Sequence, residues 1–346
     1  MNIPYLDTAT AKAFKNIAKK QKLVLATHDS AFHADDVFAS ALLHTFFSYA
    51  LPEQKYIITR NPVGSPILEK ADLVFDCGRV YDPAKLRFDH HQTGSAGTYE
   101  NGIKYSSFGL LWKHLGATVC ALYAKNIAGK TISKQMAEDM AQSITTTIVS
   151  GIDAMDNGQD IYKPIYERVH PFTFDLYVSI CKTTISSSAR DSDLYKTFNK
   201  KFVQVVKLAQ TIFEDIIKST YYSELDKVHA RKMYLKAKDK RVVVCDKAYK
   251  TDYSVFPEAL FFVYPHARGG WAGEVIRKKF DSYEARLPFP KEWGGKEKTE
   301  LEKVSGIKDA RFCHNALFLV TAETKKAALQ LVDKALQLAG HKPMIY

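Results

Sequence analysis

The stretch Arg87-Phe88-Asp89-His90-His91-Gln92 sets a carboxylate and two imidazoles directly behind an apolar Leu86/Phe88 strand pattern. Such residues are poor strand formers. Three of them at a strand end concentrate negative charge and imidazole in a small volume. That set suits a divalent cation or a phosphoryl group better than it suits packing. A lone Asp-His-His also has a structural reading, so its weight depends on matching residues elsewhere.

Matching residues lie at the ends of other apolar runs. Lys22 to Thr27 reads as a short buried strand of a parallel sheet, stopping at His28. A loop carrying His28, His33, Asp35 and Asp36 follows, and then an apolar helix from Val37 to Tyr49. In an open α/β sheet, ligands bind at the carboxyl ends of the strands. A helix N-terminus there favours anions such as phosphate. Lys55 to Arg60 is the next strand, Ala71 to Gly78 ends in Asp76 and a glycine, and Leu86 to Asp89 is the fourth strand. Carboxylates converging without a cation would repel one another in low dielectric, so bound metal is the economical explanation. Ser106 or Ser107 caps a helix that starts around Tyr105 to Trp112, and a phosphate contact is the sharper reading of Ser107. A helix over Lys134 to Ser150 runs into Asp153-Ala154-Met155-Asp156-Asn157-Gly158. Asp153 and Asp156 are three apart and share a helical face; one can complete a metal cluster while the other caps or hydrogen-bonds.

The chain has 346 residues, 46% hydrophobic and 12% aromatic, enough for two globular domains with separate cores. No apolar run approaches the roughly 20 residues that span a bilayer, which argues against an integral membrane protein. Lys12, Lys15, Lys19, Lys20 and Lys22 lie on a possible amphipathic helix, but Asp7 and the absence of arginine give a mitochondrial presequence only weak support. Five scattered cysteines with no CxxC imply free thiols in a reducing, intracellular compartment and argue against a thiolate zinc site. The net charge of +11, from 49 basic and 38 acidic residues, makes polyanions such as nucleic acid a natural partner class. A soluble basic protein with solvated lysines is the plainer alternative.

The fold class expected is α/β. A doubly wound, mainly parallel sheet occupies 1–187, a basic helical linker 188–240, and a smaller α/β domain 241–346. Strands of that last domain read as Val242 to Val244, Ala259 to Tyr264 and Phe312 to Val320, closed by a helix from Lys325 to Leu338.

The set His28, His33-x-Asp35, Asp76, Asp89-His90-His91 and Asp153 resembles the DHH phosphoesterase superfamily. That group includes RecJ-type exonucleases, short-oligonucleotide RNases and family II inorganic pyrophosphatases. More closely, THxxxFHxD, VFDCGxxYDPxxxRFDHHQ, SSFGL, DAMDNG, ARLPFPKEWGG and LxxVSGI…FCH resemble the melanocyte-proliferating gene (MYG) family, in order, from Leu23 to the C-terminus. The resemblance implies a manganese pair, with Mg2+ the alternative, held by an N-terminal DHH domain, and a second domain that binds substrate. It implies a 3′-to-5′ exoribonuclease found in nucleus and mitochondria; the cytoplasm and a homodimer stay open. One departure stands out. The family carries a glycine-rich continuation after the late FxH, whereas this chain reads His314-Asn315-Ala316-Leu317-Phe318, which bears on substrate binding.

Two cations sharing a water can lower its pKa and stabilise in-line displacement at phosphorus. Asp76 is the candidate bridge, with His28, His33, Asp35, Asp89 and Asp153 on the flanks. One of His90 and His91 binds metal and the other meets the substrate or the leaving oxygen; the superfamily resemblance places His90 at the metals and His91, with Asp89, at the chemistry. Asp36 and Asp156 are expected as outer partners that orient the imidazoles. Arg286, His314 and Ser107 are the substrate-binding candidates, and Trp271, Tyr264 or Phe289 could stack on a base. Hydrolysis of a short oligonucleotide or pyrophosphate, or weakly active RNA binding on the same fold, are the competing readings.

Overall fold

Short β-branched and apolar runs that alternate with long apolar helices favour a parallel sheet with covered faces. A computed structural model, describing residues 3–188, 193–279 and 282–345, has this arrangement in its first part. Strands β1 (Lys22–His28), β2 (Lys55–Asn61), β3 (Leu73–Phe75), β4 (Tyr81–Asp82) and β5 (Arg87–Phe88) form one sheet in the order β2-β1-β3-β5-β4. β1 pairs in parallel with β2 and β3, and β3 with β5; only the two-residue edge strand β4 is antiparallel. Strand order reverses at β1, with β2 on one side and β3 on the other. The crevice at such a reversal is where open α/β sheets bind ligands, and His28 and Asp76 sit at its two lips.

Helices α1 (Thr8–Ile17), α2 (Ala34–Ala50), α3 (Pro66–Lys70) and α4 (Ser107–Asn126) accompany this sheet. α2 and α4 are apolar on nearly all sides and pack against each other, with Phe38 and Phe108 ring centroids 5.5 Å apart. The expected helix from Lys134 to Ser150 is longer and less regular. α5 (Lys134–Ile144) passes through one π-turn at Thr145–Val149 into α6 (Ser150–Asp156). Thr145 bends the ladder there: its hydroxyl donates to the Ala141 carbonyl at 2.9 Å and accepts from Trp112 Nε1 at 3.0 Å. The π-turn sets the phase of the two aspartates that follow.

α7 (Phe174–Ser188) precedes α8 (Leu194–Lys236), one long helix. The compact units divide between Tyr221 and Tyr222, inside α8, rather than at the ends of a separate linker over 188–240. Residues 189–192 of that stretch lie outside the described residues. Apolar side chains such as Phe202, Ala209 and Phe213 bury the first part of α8 in the first unit, which is why it does not behave as a spacer.

The second unit holds β6 (Val242–Val244), β7 (Phe261–Pro265), β8 (Trp271–Val275), β9 (Ala310–Cys313) and β10 (Leu319–Ala322), ordered β6-β7-β8-β10-β9. β6 and β7 are parallel and the other pairings antiparallel. The two-residue period of β7 sends Phe261 and Val263 into a core with Leu331 and Leu336 of α10 (Lys325–Leu338), and Phe262 and Tyr264 to the opposite face. α9 (Lys298–Ser305) ends at Gly306 in the left-handed region. The single strand expected over Phe312 to Val320 is a hairpin instead. Its turn bonds Leu317 N to the His314 carbonyl at 2.8 Å, with Leu317 at φ 59. A leucine occupies a left-handed position that glycine adopts without a Cβ penalty, in the stretch where the resemblance implies glycines.

All five cysteines are buried and free. No helix among the described residues is long and apolar enough to cross a membrane.

Candidate metal centre

β1 delivers His28 and β3 delivers Asp76 to the same point. Asp76 takes φ 54, a left-handed turn that Asp tolerates better than most residues. Its Oδ2 lies 3.0 Å from His28 Nε2, and Asp36 Oδ2 lies 3.3 Å from that same nitrogen. Ser30 fixes the other side of the ring, its hydroxyl 2.6 Å from His28 Nδ1. Burial alone would lower the His28 pKa, but hydrogen bonds and charge from Asp36 and Asp76 outweigh it and raise it to about 10. Burial opposes ionisation of Asp76 too, yet His28 and His90 hold it well below the ordinary carboxylate range.

β5 delivers the third lip. Asp89 is fully buried, and its carboxylate accepts backbone N–H groups of Arg79, His90 and His91. It also lies 2.7 Å from His91 Nδ1. Asp89 is therefore anchored by its own loop. His90 Nε2 stands 3.4 Å from Asp76 Oδ1 and 3.2 Å from Asp156 Oδ2, yet it is buried with no hydrogen-bond partner. His91 is half exposed, its Nδ1 3.7 Å from Asp76 Oδ1.

The start of α2 closes the ring. The His33 N–H donates to Asp36 Oδ1 at 2.9 Å, ordering the first turn. Asp35 is fully buried, and neither of its oxygens has a hydrogen-bond partner. Burial, then the charges of Asp76, Asp156 and Asp36, push its pKa well above the ordinary value. Asp156 is raised by burial and by Asp76.

The donor atoms fall into three groups, each within 4.8 Å: Asp76-Asp89-His90-His91, His28-Asp36-Asp76 and His33-Asp35-Asp156. Asp76 belongs to two of them. Orphaned oxygens on Asp35 and Asp36, an orphaned His90 nitrogen and mutually repelling buried carboxylates are the pattern a divalent cation would satisfy. Mixed imidazole and carboxylate donors suit a divalent metal ion.

Several expected roles change. Asp153 is not in the ring. It is fully buried, accepting from Ser106 Oγ at 2.5 Å, Tyr99 Oη at 2.7 Å and Gly109 N at 3.1 Å. Both of its oxygens are engaged by these three donors, and Asp156, one turn later, lies among the candidate ligands instead. Asp36 and Asp156, expected as outer partners, lie among the candidate ligands themselves. Ser107 is buried, and its hydroxyl is directed to Asp76 Oδ1 at 3.3 Å rather than outward to phosphate. Arg286 donates to the carbonyls of Ser254, Phe256, Pro257 and Ala259, so its guanidinium buckles a loop. His314 Nδ1 accepts from Ala316 N at 3.0 Å within the β9–β10 turn. Of the expected stacking rings, Phe289 is core, Tyr264 is buried with its hydroxyl on Glu274, and Trp271 lies under Lys325.

Sequence reasoning missed Ser30, Tyr99, Gly109 and Arg60. Arg60, at the end of β2, donates to Asn199 Oδ1 at 2.9 Å and to the Ser30 carbonyl, and lies 4.8 Å from the Phe202 ring centre. It pins the loop that carries Ser30. An arginine closing an apolar strand was the available signal.

A model of the MYG1 exonuclease family, described as an uncharacterised protein family (UPF0160), matches residues 24–336. A MYG1 protein of Dictyostelium discoideum is 26% identical over 339 residues, covering 91% of this chain and 96% of that one. A Homo sapiens protein named MYG1 exonuclease is 26% identical over 346 residues, covering 93% and 88%. A Chlamydia pneumoniae MYG1 protein is 28% identical over 320 residues, covering 91% and 97%. Among solved structures, RecJ of Thermus thermophilus in complex with Mn2+ aligns at 13% identity with a TM-score of 0.27, covering 99% of this chain and 56% of that one. With the family match spanning nearly the whole sequence, the chain belongs to the MYG1 exonuclease family.

Proposed function

We propose that the protein is a divalent-metal-dependent exonuclease that hydrolyses RNA from the 3′ end. The observation that carries this reading is the double membership of Asp76. Its Oδ2 meets His28 beside Asp36, and its Oδ1 meets His90 and His91. One carboxylate common to two donor groups suits two ions held side by side. His28, Asp36, Asp89 and His90 would hold them with Asp76, and His33, Asp35 and Asp156 complete the ring. Manganese is the ion the MYG resemblance implies, and the carboxylates of this donor set suit it. When bound, such ions supply Lewis acidity and a water of lowered pKa for in-line displacement at phosphorus.

The protein's own groups do the rest. Asp89, anchored by three backbone N–H groups, holds His91 by Nδ1 and leaves Nε2 as the atom offered to a phosphate or leaving oxygen. Ser107 steadies Asp76, and Ser30 steadies His28. The relatives named exonucleases and the net charge of +11 support a nucleic-acid substrate. The choice of RNA and the 3′ direction rest on the MYG resemblance.

The test is metal-stripped protein reloaded with Mn2+ and given end-labelled oligomers. A 5′-labelled RNA should shorten as a ladder, while a 3′-labelled one should release labelled mononucleotide at once. Equal cleavage of DNA, or the opposite label pattern, would sink the corresponding part of the proposal. Turnover of pyrophosphate alone would replace it.

A further inference from the structure

One face of the second unit's sheet is mostly aromatic and aliphatic, and Glu274 is the carboxylate set into it. Phe262, Tyr264, Ala272 and Ile276 share that face, and the β7–β8 register sets Glu274 opposite Phe262. The Tyr264 hydroxyl donates to Glu274 Oε2 at 2.7 Å. Oε1 has no hydrogen bond among the described residues. Burial pushes this carboxyl above its ordinary pKa, against the Tyr264 bond and the Arg277 charge. A carboxylate set into an aromatic face costs desolvation that one hydroxyl only partly offsets.

A cavity of about 490 Å³ opens at this point, lined by Lys250, Tyr253, Phe262, Tyr264, Glu274 and Arg277. That volume suits a nucleotide-sized ligand. Three of the rings form a parallel stack: Tyr253 and Phe262 centroids are 4.2 Å apart at 11°, and Phe262 and Tyr264 are 5.0 Å apart at 16°. Lys250 and Arg277 are exposed. Neither has a carboxylate within ion-pair distance among the described residues, and Arg277 lies over the Tyr283 ring.

We infer that this cavity binds a guanine nucleotide, with the base edge on Glu274, the ring against the aromatic stack and the phosphate on Lys250 and Arg277. The choice of base follows from donor chemistry. Guanine presents two adjacent N–H donors, N1–H and the N2 amine, to one carboxylate. Adenine and cytosine set a ring acceptor beside their amine, and uracil flanks its single N–H with carbonyls, so each would oppose a lone pair to Glu274. Stacking alone tolerates any base; the carboxylate is what discriminates. All of these residues belong to the second unit, so the site goes beyond the proposed hydrolysis at the metal centre.

Calorimetric titration of the full, metal-free chain with GMP, AMP, CMP, UMP and guanosine tests it. GMP should bind one per chain, about 10-fold or more tighter than the other three. Glu274→Gln should remove that preference. Arg277→Ala should weaken GMP while leaving guanosine unchanged, and it decides the matter should Glu274→Gln fail to fold by circular dichroism. No binding by folded wild type up to about 1 mM overturns the inference, as does equal affinity for all four nucleotides. GMP binding lost in Asp89→Ala but kept in Glu274→Gln also overturns it, by assigning the nucleotide to the metal centre. Because metal is absent, these outcomes are independent of whether the chain cleaves RNA.

Discussion

Asp153 and Asp156 stand one turn apart on α6 and meet opposite surroundings. Three donors converge on Asp153: Ser106 Oγ, Tyr99 Oη and Gly109 N. Asp156 faces His90 at 3.2 Å and His33 at 4.0 Å, within the ring of candidate ligands. One carboxylate fastens the helix to the start of α4, and the other is thereby held out to the metal centre.

That division gives Asp153 a stability signature in pH. Burial raises its pKa from 3.8 to about 7 despite the three donors. A carboxyl whose folded pKa is raised contributes fully below its unfolded value and loses that contribution as pH rises through the folded one. Wild type should therefore lose stability from this group between pH 4 and pH 7, by up to about 4 kcal/mol. Asp153→Asn does not titrate. Urea unfolding of both metal-free proteins should show the difference, wild type minus variant, falling as pH rises; a constant difference would contradict the assignment.

Gly109 is part of the same fastening. A Cβ there would lie 1.8 Å from Asp153 Oδ2 and 2.8 Å from Tyr99 Oη. Gly109→Ala should cost about 1–3 kcal/mol from overpacking. In an Asp153→Ala background, which removes the carboxylate atoms the methyl would meet, the added cost should not be additive, since the two residues touch. Additive losses in a double-mutant cycle would show that the methyl clashes elsewhere.

Asp35 tests the metal centre without any assay of activity. Its two buried oxygens have no partners and three like charges surround it. Asp35→Asn should leave the metal-free protein at least as stable as wild type, because removing an unpaired buried charge relieves repulsion. The rise in melting temperature on adding Mn2+ should shrink or vanish. A variant that is less stable without metal yet fully stabilised by Mn2+ would mean that Asp35 serves folding alone.

Arg286 separates a structural from a substrate role. Its guanidinium satisfies four carbonyls between Ser254 and Ala259. Arg286→Ala should lower the unfolding free energy by about 1–3 kcal/mol through unsatisfied carbonyls, with the KM for an RNA oligomer little changed. A stable variant with a strongly raised KM would restore Arg286 to the substrate.

Much of the first sheet was legible because its strands are short apolar runs ending in Asp or His. His28, Asp76 and Asp89 stand out by where the hydrophobic pattern stops. The choice between Asp153 and Asp156 was not legible. Helical periodicity puts both near one face, and only the π-turn at Thr145–Val149 and the position of Gly109 settle which one turns inward. Arg286 misled for a related reason: an arginine's free fork and an arginine's loop buckle read alike until the carbonyls around it are placed. β8 escaped notice because Gly273 and Glu274 interrupt its apolar alternation.

Asp76 is the most exacting test of the centre. Its left-handed backbone is one that asparagine tolerates, so Asp76→Asn changes the charge while keeping the turn out of β3. Since both donor groups share this carboxylate, the variant should lose metal from both, and hydrolysis should fall more than about 100-fold. His91→Ala should behave differently. His91 is half exposed and hangs from Asp89, which keeps its three backbone donors without it. Metal content should stay near wild type while kcat falls about 100-fold or more, the loss expected for a proton donor. Elemental analysis of dialysed protein, set beside single-turnover rates, distinguishes the two. Equal metal loss in both variants would make His91 a ligand; full metal content in Asp76→Asn would dismiss the shared carboxylate.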